Sequence, residues 1–212
     1  MRASHVALLL VAALVGGALM LNRCTEAPEQ TAVQKAADAT PQRPEASPAD
    51  EPSVALAALR APHIEVLKAK RRLVLYDGAR EVRSYRAALG THPDGTKEMQ
   101  GDGKTPEGTF YVCMKNPRSK YYLSLGLSYP AVQDAARGLA AGLISQKEHD
   151  RIVRAIAAQQ APPWDTKLGG EICIHGRGSA RDWTIGCVAL DDHDMTELYA
   201  AVPYGTEVVI KP

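Results

Sequence analysis

The sequence predicts a mainly β domain, a sandwich with helices attached. Three observations point there. Apolar residues recur in short alternating runs, such as Ile64 and Val66 around Glu65, more often than at helical spacing. Glycine and proline are plentiful, 17 and 14 of 212 residues, which favours short strands and turns over a helical bundle. Aromatic residues are scarce, with one Phe and two Trp.

Taken in order, the chain begins with a targeting segment. Arg2 supplies a positive end, and Val6 to Leu21 is a continuous apolar run. The run is long for the core of a signal peptide and short for a full span of about 20 residues. No small-x-small cleavage site follows it. Cys24 invites a lipid anchor, but Arg23 stands where such a site needs a small residue. A signal anchor over residues 1–24 therefore fits better, and either anchor implies export through the inner membrane. Residues 25–61, rich in Ala, Pro, Glu, Gln and Ser, read as a flexible linker. The folded domain is expected over residues 62–212.

Within that domain, His63 to Lys68 and Arg72 to Tyr76 read as strands joined by a basic stretch. That stretch, Lys68 to Arg72, reads as a solvated turn. Asp77-Gly78 signals a hairpin, and Glu81 to Leu89 resumes as a third strand. Gly90 to Gly108 is a loop whose Thr-Pro-Glu-Gly end leads into the strand Thr109 to Met114. Asp102 and Glu107 in it are read as setting geometry, without acid–base work. Asn116 to Tyr129 is polar and carries Tyr121, Tyr122 and Tyr129. Ala131 to Gln160 is the most helical segment. Ser145-Gln146-Lys147-Glu148 matches a capping box, with Ile152, Val153 and Ile156 at helical spacing, and Pro162 and Pro163 end it. This helical insertion is expected to wall or lid a site. Glu171 to Ile174 and Val188 to Leu190 read as strands. Asp191 or Asp192 then caps a C-terminal helix running to about Val202, and Thr206 to Ile210 is the last strand.

A formal net charge of +1 gives no suggestion of a nucleic-acid partner. No cofactor motif is visible. Four cysteines stand at 24, 113, 173 and 187. Cys113 and Cys173 lie in strand-like runs and read as buried thiols. A metal site from Cys173, His175, Cys187 and His193 lacks the close ligand pairs that zinc sites use.

Chemistry concentrates in the stretch from His175-Gly176-Arg177 to Asp182-Trp183-Thr184-Ile185-Gly186-Cys187. A thiolate is the strongest nucleophile among side chains, and a nearby histidine can take its proton and hold the anion. Two adjacent strands could bring the two together. Gly176 follows the histidine and Gly186 precedes the cysteine, so the backbone can turn tightly and aim N–H groups at one point.

His-Gly, a short loop and Thr184-Ile185-Gly186-Cys187-Val188 resemble the L,D-transpeptidase (YkuD-type) catalytic domain. Gly101-Asp102-Gly103-Lys104-Thr105-Pro106-Glu107-Gly108 resembles that family's G-D-x-x-T-P-E-G segment. The resemblance runs from about Pro62 to Pro212 and implies a YkuD-type β-sandwich. It implies periplasmic work on peptidoglycan stem peptides through a Cys187 thioester, with His175 as base and no cofactor. The acceptor could be another stem, an outer-membrane lipoprotein, a free D-amino acid or water. A hydrolytic relative and an inactive wall-binding module are the competing readings. The Gly176 carbonyl is expected to orient His175, with Asp182 as an alternative. The Gly186 and Cys187 amides are expected to stabilise the oxyanion. Thr184 either contacts substrate or pins the loop, and Arg177 and Arg181 are candidate carboxylate clamps. Many members of the family have His where this chain has Ile185, and Arg or Asn where it has Ala189.

Overall fold

In the computed structural model, residues 59–212 are described; the N-terminal apolar run, Cys24 and most of the linker lie outside the described residues. Eight strands and three helices occur among the described residues. They are β1 (Pro62–Leu67), β2 (Arg72–Asp77), β3 (Arg80–Arg86), β4 (Gly108–Ser119), β5 (Tyr122–Leu127), α1 (Val132–Ala140), α2 (Gln146–Ala157), β6 (Cys173–His175), β7 (Val188–Ala189), α3 (Asp192–Ala201) and β8 (Glu207–Lys211).

The strands hydrogen-bond in the order β3-β2-β1-β8-β4-β5-β6-β7. Strand β4 belongs to both halves of this series. Its first residues, Gly108–Tyr111, pair with β8, and the rest pairs with β5 across two register shifts. Such irregularities bend a strand and increase its twist, which lets the sheet turn over on itself. The two outer ends then meet. Ala88, just after β3, exchanges two 2.8 Å hydrogen bonds with Ala189 of β7. Backbone groups that would otherwise be open at a sheet edge are thereby satisfied.

The core lies inside this folded sheet. Alternation supplies it: Ile64 and Val66 from β1, Leu73 and Leu75 from β2, Leu125 and Leu127 from β5, Ile174 from β6, Val188 from β7, and Val208 and Ile210 from β8 are all buried together. Helix α3 closes it with Met195 and Leu198. At about 25 cal/mol per Å² of apolar surface, burial of this set is the principal stabilising contribution.

The helical insertion has a small core of its own. Ala135, Ile144, Ile152 and Leu168 pack together, and Gly138 lets α1 approach Leu168, because a Cβ there would sit 2.7 Å from Leu168 Cδ2. The capping box of α2 forms: the Ser145 amide donates to Glu148 at 2.7 Å, and the Glu148 amide donates back to Ser145 Oγ at 3.3 Å.

The basic stretch after β1 differs from its sequence reading. Lys68 is only 3% exposed. Its ammonium donates to the Gly95 carbonyl (2.5 Å), the Thr105 carbonyl (3.2 Å) and Glu107 Oε1 (2.6 Å). Arg71 forks onto Asp182, with Nε 2.9 Å from Oδ2. A buried ammonium needs such partners. They come from segments distant in sequence, so the run of charges by itself looked like an ordinary solvated turn.

Candidate active site

The geometry of the site follows from one pairing. Strands β6 and β7 run parallel, with Ile174 opposite Val188 and His175 opposite Ala189. Parallel neighbours cannot be joined by a tight turn; the chain must travel back before it can run alongside itself. Residues 176–187 are that return. The register places Cys187 beside Cys173, one step before the paired Ile174 and Val188. Side chains alternate between faces. Ile174 and Val188 therefore point into the core, while Cys173, His175 and Cys187 share the other face.

Two openings meet there, each about 400 Å³. Both are lined by Cys187, His175, Tyr121, Lys120 and Glu171. One extends past Lys97, Gln100, Gly169, Gly170, Thr184 and Ile185. The other extends past Met114, Asn116, Ser119, Ser124, Trp164 and Cys173.

His175 is 2% exposed and rigidly oriented. Its Nδ1 lies 2.7 Å from the Gly176 carbonyl, which can only accept, so Nδ1 carries the proton and Nε2 is the basic nitrogen. Tyr121 stacks on the imidazole at 4.7 Å between ring centres, and Trp183 meets it edge-on at 5.5 Å. Asp182, the alternative partner, is engaged elsewhere: it binds Arg71 and accepts from the Leu89 amide at 2.9 Å.

The Cys187 sulfur accepts from the Cys173 amide at 3.4 Å. Its thiol is held well below the ordinary range. The largest cause is a hydrogen bond from the Cys173 thiol, reinforced by His175; together these outweigh the opposing effect of burial. Cys173 moves the opposite way, raised first by the neighbouring Cys187 anion and then by burial. Cys113, pushed up to about 11 by burial, is half-buried and donates to the Gly126 carbonyl at 3.4 Å.

Thr184 pins the turn before the nucleophile. Its hydroxyl accepts from the Gly186 amide at 3.1 Å and donates to the Cys187 carbonyl at 2.7 Å. This uses the Gly186 N–H that the sequence reading assigned to an oxyanion. Gly186 itself has φ 131°, and a Cβ on it would lie 2.7 Å from the Lys104 carbonyl. The G-D-G-K-T-P-E-G loop thus backs the Thr184–Cys187 turn. Asp102 organises that loop, accepting from Lys97 Nζ at 2.7 Å and from the amides of Glu98, Met99 and Lys104.

The remaining candidates fall elsewhere. Arg177 and Arg181 line a separate depression of about 270 Å³, beyond Trp183. Asp191 and Asp192 do not spend their carboxylates capping α3. Asp192 accepts from the Arg177 amide, and Asp191 accepts from the amide and hydroxyl of Ser179, so both hold the return loop. His193 is 92% exposed at its side chain and faces Asp194, away from the two cysteines. The helices of the insertion do not line the openings; the segment following α2, from Trp164 to Glu171, does. Sequence reasoning passed over Lys97, Lys120 and Trp164. It also read Cys173 as an inert strand thiol. Only its spacing two residues before His175, on the same strand face, could have flagged it.

The folded β-sheet sets a cysteine and an oriented histidine on one face, at the meeting point of two openings. The family profile for the L,D-transpeptidase catalytic domain (YkuD) matches residues 61–210, and the chain belongs to that family. Putative L,D-transpeptidase YafK of Escherichia coli K12 is 35% identical over 83 residues, which cover 36% of this chain and 33% of that relative's length. The helical cell shape determining protein Pgp2 of Campylobacter jejuni superposes with a TM-score of 0.52 at 24% identity, covering 71% of this chain and 47% of that one. A mutant of the same Pgp2 gives 0.50 at 25%, covering 73% and 48%.

Proposed function

We propose that the chain is a peptidoglycan L,D-transpeptidase that works through a thioester on Cys187. The thiolate attacks the carbonyl of a diaminopimelyl residue in a stem peptide. His175, its Nδ1 proton engaged by the Gly176 carbonyl, accepts the nucleophile's proton and returns one to the departing amine. The Cys187 amide is the proposed donor to the developing oxyanion; loss of such a donor typically costs about 100- to 1000-fold in rate. An incoming amine then resolves the thioester to a new amide.

The observation that carries this reading is the shared face of His175 and Cys187 at the meeting of two openings, and the Cys173 thiol and His175 lower the Cys187 thiol pKa there. The two openings meeting at the sulfur favour transfer over hydrolysis, since there is room for an acyl donor on one side and an amine on the other. Lys120, which lines both, is a better-placed carboxylate clamp than Arg177 or Arg181. The N-terminal apolar segment would deliver the domain to the periplasm. A lipoprotein lysine and a second stem peptide are both compatible acceptors.

Incubation with purified sacculi tests the proposal. Cross-linked muropeptide dimers, or protein-linked muropeptides, are expected from the wild type and not from Cys187→Ala. Released monomers alone would establish the hydrolytic relative instead. Carbapenem adds its mass to a thioester-forming cysteine, so an intact mass unchanged by carbapenem would remove the enzyme reading.

A further inference from the structure

Cys173 forms no bond to substrate in the reaction above, yet it lines the same opening as Cys187. Parallel strands β6 and β7 place the two cysteines side by side on one face. Neighbouring strands lie about 4.8 Å apart, within the Cα separation of about 4.4–6.8 Å that a disulfide spans. Both sulfurs sit 3.5 Å from the same acceptor, the Glu171 carbonyl. The Cys187 sulfur also contacts the Cys173 amide. Among the described residues no other cysteine pair is so arranged.

We infer that Cys173 and Cys187 form a reversible disulfide that caps the nucleophile under oxidising conditions. The oxidant is a disulfide-bearing protein or small molecule. The Cys187 thiolate attacks one sulfur of that disulfide, and the oxidant's first thiolate leaves. The Cys173 thiol then loses its proton and attacks the Cys187 sulfur, releasing the oxidant's second thiolate. One S–S bond forms in the chain and one breaks in the oxidant; two electrons and the Cys173 proton pass to it, leaving it as one thiol and one thiolate. The order follows from the pair. Cys173 is held protonated mainly by the Cys187 anion, and that restraint vanishes once Cys187 is in a mixed disulfide. Reduction runs easily in reverse, because a low-pKa thiol is a good leaving group. The bond also shields Cys187 from peroxide, which would otherwise carry it to irreversible sulfinic and sulfonic acids.

This inference rests on the thioester reading for its consequence but not for its detection. Trypsin cuts after Lys167, Arg177 and Arg181 but not between Lys211 and Pro212, so Cys173 and Cys187 fall in separate peptides, 168–177 and 182–212. The full chain is equilibrated in glutathione buffers of graded potential, alkylated and digested. A linked 168–177/182–212 peptide is expected, rising through one midpoint. About 30 mV to the oxidising side, roughly nine-tenths of the molecules are linked, and carbapenem acylation falls about tenfold, recovering with dithiothreitol. After peroxide treatment and reduction, wild-type acylation recovers. In Cys173→Ser the same treatment leaves Cys187 sulfonated, with activity compared to that variant's own untreated rate. Absence of the linked peptide at every potential overturns the inference, and needs no variant to fold. Equal sulfonation of Cys187 in wild type and variant overturns it as well. A linked protein that still acylates would instead remove Cys187 as the nucleophile, and the capping with it.

Discussion

Thr184→Val tests whether the turn before the nucleophile is held by a hydroxyl. The substitution keeps the shape of a buried side chain and deletes one oxygen. Two hydrogen bonds go with it, from the Gly186 amide and to the Cys187 carbonyl. Each contributes about 1 kcal/mol net, and a buried donor left without a partner costs about 1–3 kcal/mol more. The expected loss is therefore about 3–5 kcal/mol. In a domain of this size that lowers the melting temperature by roughly 6–20 °C. Catalysis should suffer further, because the same turn places the sulfur and its amide, and a misplacement of about 1 Å can cost about 100-fold. Urea unfolding gives the first quantity, and the rate of carbapenem mass addition gives the second. Thr184→Ser, which restores the oxygen, should recover most of both. A Val variant within about 0.5 kcal/mol of wild type, acylating at the wild-type rate, would refute the reasoning, since ordinary surface changes fall in that range.

Three further outcomes follow from the site and its supports. Because Cys187 is depressed, its iodoacetamide alkylation should stay on its plateau as pH falls from the ordinary thiol pKa of about 8.5 to about 7; Cys113, raised to about 11, and Cys173, raised further, should react far more slowly, and a tenfold drop per pH unit at Cys187 over that window would contradict the depression. Lys68→Met strips Glu107 and two carbonyls of their shared donor and should cost about 3 kcal/mol in urea unfolding, as for other broken buried pairs; a neutral result would mean the stretch is solvated after all. Asp102 is held below its ordinary range: burial alone would raise it, but Lys97 and three backbone amides together outweigh that. Its contribution is present above the unfolded carboxylate pKa of about 3.9 and is lost as pH falls toward the folded value, so Asp102→Asn should flatten the acid limb of a stability–pH curve.

Legibility varied with the range of the interaction. Helix α2 could be read because its capping box is four consecutive residues, and β1, β2 and β8 because alternation is local. The burial of Lys68 could not, since its partners lie 27 to 39 residues away. The use of Asp191 and Asp192 was hidden for a similar reason. A carboxylate before a helix normally caps it, but here the return loop passes closer and takes both.

What the linear order of residues determined is the chemistry: a cysteine, a histidine and glycines at spacings that fit a return between two strands, in a chain too rich in turns for a helical bundle. What tertiary structure decided is partnership. The parallel register of β6 and β7 turned a separation along the chain into a shared face, and brought Cys173 to the nucleophile as well. It also settled that Thr184 holds the turn and that Arg177 and Arg181 stand apart from the sulfur. Side-chain type is a property of each residue alone, whereas a donor's partner depends on which segments the folded sheet brings within about 3 Å.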